Sequence, residues 1–362
     1  MTDFFAKHEE TLQGAVKATR DRGYWSPYPE MPSRKVYGDT APADGEAAFH
    51  AHLGQPFQIP GHPDTGETVG AESSPFGLAM DVGYPAVTVP MVVDAASAAA
   101  DDWAKADPRQ RVGVCLEILD RLNRKSFEIA HAVNHTTGQA FMMAFQAGGA
   151  HAQDRGLEAV AYAWEEMTRV PGHTVWEKPA GKDETVKVDK YFRIIPRGIA
   201  LMIGCSTFPN WNGYPGLFAS LATGNPVIVK PHPGATLPLA ITVQVGREVL
   251  KEAGFDPNLL LLAADAPGRE ITKELVTHPE VRIVDYTGSN VFGQWVRENA
   301  DQRARRPRRH HRRPPVRGGR PRLPPASGAP RRGARAVPHQ GAGEAAPPAQ
   351  TGEFQQRLRP FR

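Results

Sequence analysis

The feature that constrains this sequence most is a stretch in the middle of the chain, residues 191–239, where two short apolar runs flank one amphipathic segment. The runs, 198–204 and 226–229, are rich in Ile, Val and Leu, and each is too short for an independent helix. Such runs are typical of parallel strands buried on both faces. The segment between them has apolar residues at helical spacing and ends at Gly224. We therefore predict a strand–helix–strand unit of the kind found in doubly wound nucleotide-binding sheets.

Strand and helix patterns alternate from residue 191 to residue 302, which predicts an α/β fold with a parallel sheet. Lys230 directly follows the second strand, at the carboxyl end where open α/β sheets bind their ligands. From position alone, a ligand-binding lysine and a solvated lysine that caps the strand are equally good interpretations. The sequence has neither a G-x-G-x-x-G fingerprint nor a Walker GK[ST] motif, so these patterns alone name no nucleotide.

The chain before this unit divides into two regions. Residues 1–94 are predicted to contain a helix over 3–22, followed by a long irregular arm rich in Pro and Gly with few helical signals, which we expect to serve packing or subunit contact. Residues 95–190 are predicted to be mostly helical, with Pro108 at a helix start. This second region ends in a predicted strand or hairpin over 178–190.

The two cysteines, Cys115 and Cys205, form neither a C-x-x-C pair nor a metal-ligand spacing, and we predict no metal site. So few cysteines indicate a reducing compartment without a disulfide framework. The N-terminus has no secretory h-region and no apolar run approaches 18 residues, so we predict a cytoplasmic protein without a membrane partner. Cys115 lies in the apolar stripe of a helix and is expected to be a buried structural thiol.

The last region, residues 303–362, differs from the rest in charge and composition. Its 16 Arg and 2 Glu give it a charge of +14, so residues 1–302 carry −10 although the whole chain carries +4. A segment dominated by Arg, Pro, Gly and Ala cannot bury enough surface to fold, and we predict that it is disordered. It is either a basic tail that binds nucleic acid or the product of a frameshift in GC-rich coding DNA. The absence of lysine and the abrupt change favour the frameshift, so nucleic acid is the less favoured partner.

Two motifs of the sequence resemble the coenzyme-binding core of the aldehyde dehydrogenase superfamily. They are PRGIALMIGCSTFPNWNGYPGLFASLATGNPVIVKPHP (196–233) and VRIVDYTGSNVFG (281–293), and their order and spacing agree with the family. The segments TFPNWNGYPGLF and SSPFGLAMDVGYP further resemble PaaN-type proteins of phenylacetic acid degradation. The resemblance covers about residues 1–302. It implies an aldehyde dehydrogenase-like fold with an N-terminal helical arm, oligomerisation strands before residue 190 and a partial NAD(P)-binding domain over 191–302.

The resemblance implies NAD(P)-dependent oxidation of a small-molecule aldehyde, or of a CoA semialdehyde of phenylacetate catabolism, by a homo-oligomer. Lys230 matches the family lysine that binds the adenine ribose or its phosphate, and Gly288 and Ser289 match the Gly-Ser beside the diphosphate at a helix N-terminus. The cofactor-binding residues implied in this way are Ser206, Lys230, Gly268, Gly288, Ser289 and Phe292.

The same resemblance favours NADP over NAD. Family members that prefer NAD commonly carry a glutamate three residues after the lysine, where it holds the ribose hydroxyls. Here that position is Pro233, with His232 beside it. Without the carboxylate, a 2′-phosphate meets no repulsion and finds the ammonium group of Lys230.

The catalytic residues of the family match this sequence less well. The oxyanion asparagine corresponds to Thr207, whose hydroxyl can donate but is shorter than an amide, and Asn210 or Asn212 of the same turn is the alternative. The water-activating glutamate and the nucleophilic cysteine should follow the Thr-Gly-Ser motif, and neither appears there. Cys205 is not at the nucleophile position. We therefore expect a truncated homologue without turnover, or alternatively a non-catalytic nucleotide- or nucleic-acid-binding protein with a basic tail.

Overall fold

The structure is a computed structural model that describes residues 3–182 and 184–300. The predicted disordered tail, 303–362, lies outside the described residues. The helices are α1 (Phe4–Asp21), α2 (Arg34–Tyr37), α3 (Ala41–His50), α4 (Val89–Lys105), α5 (Pro108–Arg124), α6 (Ser126–Thr137), α7 (Phe141–Phe145), α8 (His151–Thr168), α9 (Pro209–Ala222), α10 (Leu237–Glu252), α11 (Thr272–Thr277) and α12 (Asn290–Ala300), with a π-helical turn at Gln146–Ala150 and a 3-10 turn at Pro257–Leu259. The strands are β1 (Thr68–Val69), β2 (Tyr84–Pro85), β3 (His173–Pro179), β4 (Thr185–Tyr191), β5 (Ile199–Ile203), β6 (Val227–Lys230), β7 (Leu260–Leu262) and β8 (Val281–Tyr286).

A four-stranded parallel sheet with the order β7-β6-β5-β8 confirms the predicted α/β fold. The apolar runs that we identified in the sequence are β5 and β6, and every residue of both strands is buried. In the register, Met202 of β5 lies between Val229 of β6 and Asp285 of β8. Because the strands are parallel, their carboxyl ends meet at one edge of the sheet, where ligands bind in this class of fold.

The helix between β5 and β6, α9, ends at a buried arginine from the helical region. Arg111 of α5 is 2% exposed, and its Nε donates to the carbonyl oxygen of Ala222 at 3.0 Å. Trp103 Nε1 donates to the carbonyl oxygen of Leu221 at 3.0 Å. The last carbonyls of a helix have no partner within it, so these two side chains satisfy the C-terminus of α9. Gly224 follows with φ +90°, a conformation that favours glycine.

The irregular arm contains more helix than the sequence analysis predicted. The expectation of few helical signals is wrong for α3, which spans ten residues. Gly45 in its middle weakened the signal. A Cβ on Gly45 would lie 2.3 Å from Cβ of Phe127 in α6, so glycine is there because the two helices touch. The close approach of α3 to α6 stabilises a helix that the local sequence of α3 does not predict.

The arm also completes the backbone hydrogen bonds of the sheet layer, which agrees with its expected packing role. Glu72 accepts from the backbone N–H groups of Thr236 (2.5 Å) and Leu237 (2.8 Å) and so caps the start of α10. His62 Nε2 accepts from the backbone N–H of Leu262 in β7 at 2.9 Å. The arm is therefore hydrogen-bonded to both a helix and a strand of the parallel-sheet unit.

The strand or hairpin predicted over 178–190 is the second part of a longer hairpin of β3 and β4, which pair antiparallel with His173 opposite Tyr191. All residues of both strands are exposed. Five large hydrophobic side chains are among them: Val175, Trp176, Val186, Val188 and Tyr191. Among the described residues, each helix is too short or too polar to span a membrane.

Candidate functional site

The carboxyl edge of the parallel sheet borders a cleft of about 750 Å³. Its walls come from the loops that follow β5, β6 and β8, together with the start of α11. Of the site residues that the sequence predicted, five line this cleft: Ser206, Lys230, Gly288, Ser289 and Phe292. The topology therefore brings the two sequence motifs together, as expected from parallel strands whose carboxyl ends share one edge.

The wall after β6 contains a buried ion pair. Lys230 is 2% exposed, and its Nζ lies 2.7 Å from Oδ1 of Asp265, which follows β7. The same ammonium group donates to the carbonyl oxygen of Pro231 at 2.5 Å. Burial lowers the pKa of Lys230, and the carboxylate of Asp265 opposes that shift. Sequence reasoning identified Lys230 but missed Asp265, because no motif surrounds it and only the pairing of β6 with β7 brings it close.

The opposite wall is the start of α12. Ser289 Oγ accepts from the backbone N–H of Phe292 at 3.4 Å, and Ser289 O accepts from the N–H of Gly293 at 2.9 Å. The first N–H groups of a helix are free to bind an anion, and the helix dipole favours negative charge there. A Cβ on Gly288 would lie 2.3 Å from the hydroxyl oxygen of Tyr286, which itself donates to Ser289 O at 3.0 Å. Glycine therefore keeps this turn compact beside the cleft.

Cys205, two residues before Thr207, also lines the cleft. Its sulfur accepts hydrogen bonds from Thr207 Oγ1 (3.6 Å), the Phe208 N–H (3.4 Å) and Asn212 Nδ2 (3.4 Å). Burial raises the pKa of this thiol, but the three donors outweigh burial and the net pKa is lowered. Cys115 is completely buried in α5 as expected, and burial raises the pKa of its thiol.

The residues predicted for the oxyanion position do not line the cleft. Asn210 is fully buried, and its Nδ2 donates to Gly148 O and to the Tyr214 hydroxyl, each at 3.2 Å. Its amide is thus committed to the π-helical turn and to α9 itself. Thr207 directs its hydroxyl to the sulfur of Cys205, and its carbonyl accepts from Gln139 Nε2.

Gly268 lies beside a second, adjacent cleft of about 470 Å³. Its φ is +83°, so the loop after β7 needs glycine at this point. Its N–H donates to Oε1 of Glu270 at 3.0 Å, and Glu270 lines both clefts. Gly268, which the resemblance implies to be a cofactor-binding residue, is thus one hydrogen bond away from the main cleft.

One cluster with metal-ligand spacing occurs among the described residues, formed by His8, Glu117 and Asp120. Glu117 is already paired with Lys7 (2.6 Å) and with Arg121 (2.8 Å). Because the chain's own cations neutralise this carboxylate, we assign no metal to the cluster.

Comparison with known proteins gives consistent matches. The family model described as "Aldehyde dehydrogenase family" matches residues 84–308. A crystal structure of an NAD-dependent aldehyde dehydrogenase from Burkholderia multivorans has a TM-score of 0.80 and 57% sequence identity, over 83% of this chain and 54% of that chain. A 1-pyrroline-5-carboxylate dehydrogenase from Bacillus subtilis (strain 168) is 30% identical over 208 residues, which cover 58% of this chain and 37% of the relative.

A further relative, betaine aldehyde dehydrogenase 2 from Rhizobium meliloti (strain 1021), is 26% identical over 221 residues, which cover 59% of this chain and 41% of the relative. The matched part of this chain thus spans about half of the similar crystal structure. It spans less than half of these two curated relatives.

Proposed function

This chain belongs to the aldehyde dehydrogenase family, and we propose that the cleft at the carboxyl edge of its parallel sheet binds a nicotinamide dinucleotide, NAD or NADP. The observation that carries the proposal is the arrangement of two walls around one cleft, with the start of α12 on one side and the buried ammonium of Lys230 on the other. A diphosphate fits the N–H groups of the helix, and a ribose hydroxyl fits a fixed cation.

The residues present suit the parts of such a ligand. Gly288 and Ser289, at the start of α12, would hold the diphosphate. Lys230 Nζ donates one hydrogen bond to the carbonyl oxygen of Pro231 and forms an ion pair with Asp265, which leaves at least one of its three N–H groups for a ribose hydroxyl. When bound, the nicotinamide supplies a hydride acceptor for the oxidation of an aldehyde.

We further propose that the 362-residue chain binds this cofactor without oxidising an aldehyde. Aldehyde oxidation in this family needs a thiolate nucleophile, and Cys205 is the one thiol of the sequence that lines the cleft. Its sulfur is buried and already accepts three hydrogen bonds, which hold it against the loop that follows β5. The test is aldehyde-dependent formation of NADH or NADPH by the purified chain. We expect none, and formation that disappears in Cys205→Ala would contradict the proposal.

Binding itself is tested by isothermal titration of the purified chain with NAD and with NADP. We expect saturable one-to-one binding of at least one of them. Heat no larger than that of dilution for both ligands would contradict the proposed cofactor site.

For the substrate, we propose a CoA semialdehyde of phenylacetate catabolism, acted on by an enzyme that contains this coenzyme-binding region. The support is the resemblance of TFPNWNGYPGLF and SSPFGLAMDVGYP to PaaN-type proteins. Transcript abundance tests the assignment: we expect induction on phenylacetate relative to succinate as the carbon source. Equal abundance on both carbon sources would argue for another aldehyde.

The exposed hairpin supports assembly with further copies of the chain. Both strands are exposed along their whole length, and Trp176 and Val188 lie opposite each other in the pair. We propose that β3 and β4 join a partner's sheet in a homo-oligomer. Sedimentation velocity should show an oligomer that Val188→Glu shifts towards the monomer. A monomeric wild-type protein at micromolar concentration would contradict this assignment.

Nucleic-acid binding by residues 303–362 stays an alternative that rests on composition. It predicts salt-sensitive affinity for RNA that is lost on deletion of those residues. The cytoplasmic location likewise stays a prediction.

A further inference from the structure

We propose that Asp265 makes the cleft prefer NAD to NADP, because its carboxylate holds the ammonium group of Lys230 in a buried ion pair and leaves no free cation for a 2′-phosphate. The inference rests on the proposed cofactor binding. It reverses the preference for NADP that Pro233 suggested, since a carboxylate stands beside the lysine after all, supplied by a different strand.

The ion pair is held from both sides. Lys230 Nζ lies 2.7 Å from Asp265 Oδ1, and the two side chains are each 2% exposed. The other carboxylate oxygen, Oδ2, accepts from the backbone N–H of Ile271 at 3.2 Å and from Thr272 Oγ1 at 3.5 Å. Asp265 thus fixes the loop that leads into α11 as well as the lysine. A carboxylate with these contacts cannot rotate away to make room for a second anion beside the same ammonium.

The remaining charges of the cleft do not replace the cation that Asp265 neutralises. The other charged side chains in the lining are Lys273 and Glu270, which carry opposite charges. Lys273 Nζ lies over the ring of Trp295, 5.5 Å from its centroid. Burial and then Lys230 hold the pKa of His232 below its usual value, which disfavours a positive charge on this imidazole. With Asp265 included, the cleft therefore has no surplus positive charge.

NAD and NADP differ in the group that each would place beside Lys230 and Asp265. The 2′-hydroxyl of NAD is neutral and can accept a hydrogen bond from the remaining N–H of Lys230 while donating to an oxygen. The 2′-phosphate of NADP brings about two negative charges next to the buried carboxylate of Asp265. Charges interact strongly where water is excluded, so the phosphate meets repulsion that the hydroxyl does not. Replacing the carboxylate by a carboxamide removes that repulsion and frees the charge of Lys230.

The experiment compares the affinities of NAD and NADP for the wild-type chain and for Asp265→Asn by isothermal titration. The wild type should bind NAD at least about tenfold more tightly than NADP, and Asp265→Asn should shift this ratio towards NADP by at least about tenfold. Glu248→Gln is the matched control, because Glu248 is exposed on α10 and lines neither cleft, and the change also removes one negative charge. Its ratio should stay at the wild-type value.

A double variant tests whether Asp265 acts through the lysine. Lys230→Gln added to Asp265→Asn should abolish the gain in NADP affinity; persistence of the gain would contradict the proposed route. The inference is also wrong if the wild type binds NADP at least as tightly as NAD, if Asp265→Asn leaves the ratio unchanged, or if Glu248→Gln shifts it equally. The wild-type comparison alone tests the proposal if the variant fails to fold. Absence of binding by both dinucleotides would overturn the proposed function and this inference together.

Discussion

Two of the buried cations in this protein have opposite surroundings. Arg111, behind α9, donates to the carbonyl oxygens of Ala222 (3.0 Å) and Ala106 (2.5 Å). Lys230, beside the cleft, is paired with the carboxylate of Asp265 and lines open space. Burial alone therefore does not separate a structural cation from a functional one. Their partners differ: Arg111 donates to uncharged carbonyls, whereas Lys230 is paired with a carboxylate beside the cleft for which we propose dinucleotide binding.

The largest effect should come from removing the structural cation. Arg111→Met leaves the carbonyl oxygens of Ala222, at the end of α9, and of Ala106, after α4, without this donor in a place that water does not reach, and we expect a loss of about 3 kcal/mol in the free energy of unfolding. Urea denaturation measures it. Arg124→Met is the matched control, since that side chain is 65% exposed and its pair with Asp120 should contribute less than about 1 kcal/mol.

Folded Arg111→Met should keep its dinucleotide affinity, because Arg111 does not line the cleft. A stability loss as small as that of Arg124→Met would show that the carbonyl oxygens of Ala222 and Ala106 find other partners. The contrast with Lys230 would then be lost.

The functional cation should behave differently when its partner is changed with it. Lys230→Met leaves Asp265 as an unpaired buried charge, and we expect a destabilisation of about 3 kcal/mol. Adding Asp265→Asn removes that charge, so most of the stability should return while dinucleotide binding stays at least about tenfold weaker than in the wild type. Thermal denaturation and titration of the same samples separate the two effects. Recovery of binding together with stability would contradict a ligand role for Lys230.

The imidazole of His62 is a buried base that its surroundings keep neutral, in contrast to the two buried cations. Burial, and then the charge of Arg247, lower the pKa of His62 from 6.5 to about 4. Between these values the unfolded chain binds more protons than the folded one. Stability should therefore be full above pH 6.5 and fall as the pH drops towards 4, by up to about 3 kcal/mol.

Equilibrium unfolding from pH 8 to pH 4 measures this loss. His62→Gln keeps an acceptor for the N–H of Leu262 but cannot be protonated in this range, so it should flatten that part of the profile. An unchanged slope in His62→Gln would assign the acid sensitivity to other groups.

The smallest effect concerns the wall opposite Lys230. Gly288→Ala places a methyl group against the Tyr286 hydroxyl and displaces the turn before α12, so dinucleotide affinity should fall about tenfold, or about 1.4 kcal/mol, with little change in stability. Gly181→Ala is the control, since its nearest neighbour would be 3.9 Å away. Equal affinities of the two variants for NAD would contradict the proposal that the start of α12 binds the dinucleotide.

The parts of the molecule that sequence could predict are those with a local pattern. The buried strands β5 and β6, the lysine after β6 and the Gly-Ser turn before α12 are each visible in short stretches, and the structure brings them to one cleft. The helix α3 was missed because the contact that stabilises it, Gly45 against Phe127, joins distant residues.

The partners of the two buried cations could also not be predicted from local sequence patterns. Asp265 lies 35 residues after Lys230 and meets it through the parallel pairing of β6 with β7. Arg111 binds backbone carbonyls, and these carry no side-chain signature that sequence could show. Sequence reasoning thus found the cation at the cleft, and the fold supplied the carboxylate that pairs with it.

Amide hydrogen exchange of the wild-type chain, with and without saturating NAD, tests the proposed cofactor site most directly. The amides of 204–206 and 288–293 flank the cleft from both sides. We predict slower exchange in both segments when NAD is present, and unchanged exchange in the hairpin of β3 and β4. NAD that leaves both segments unchanged, or that protects the hairpin instead, would contradict a dinucleotide site at the edge of this sheet.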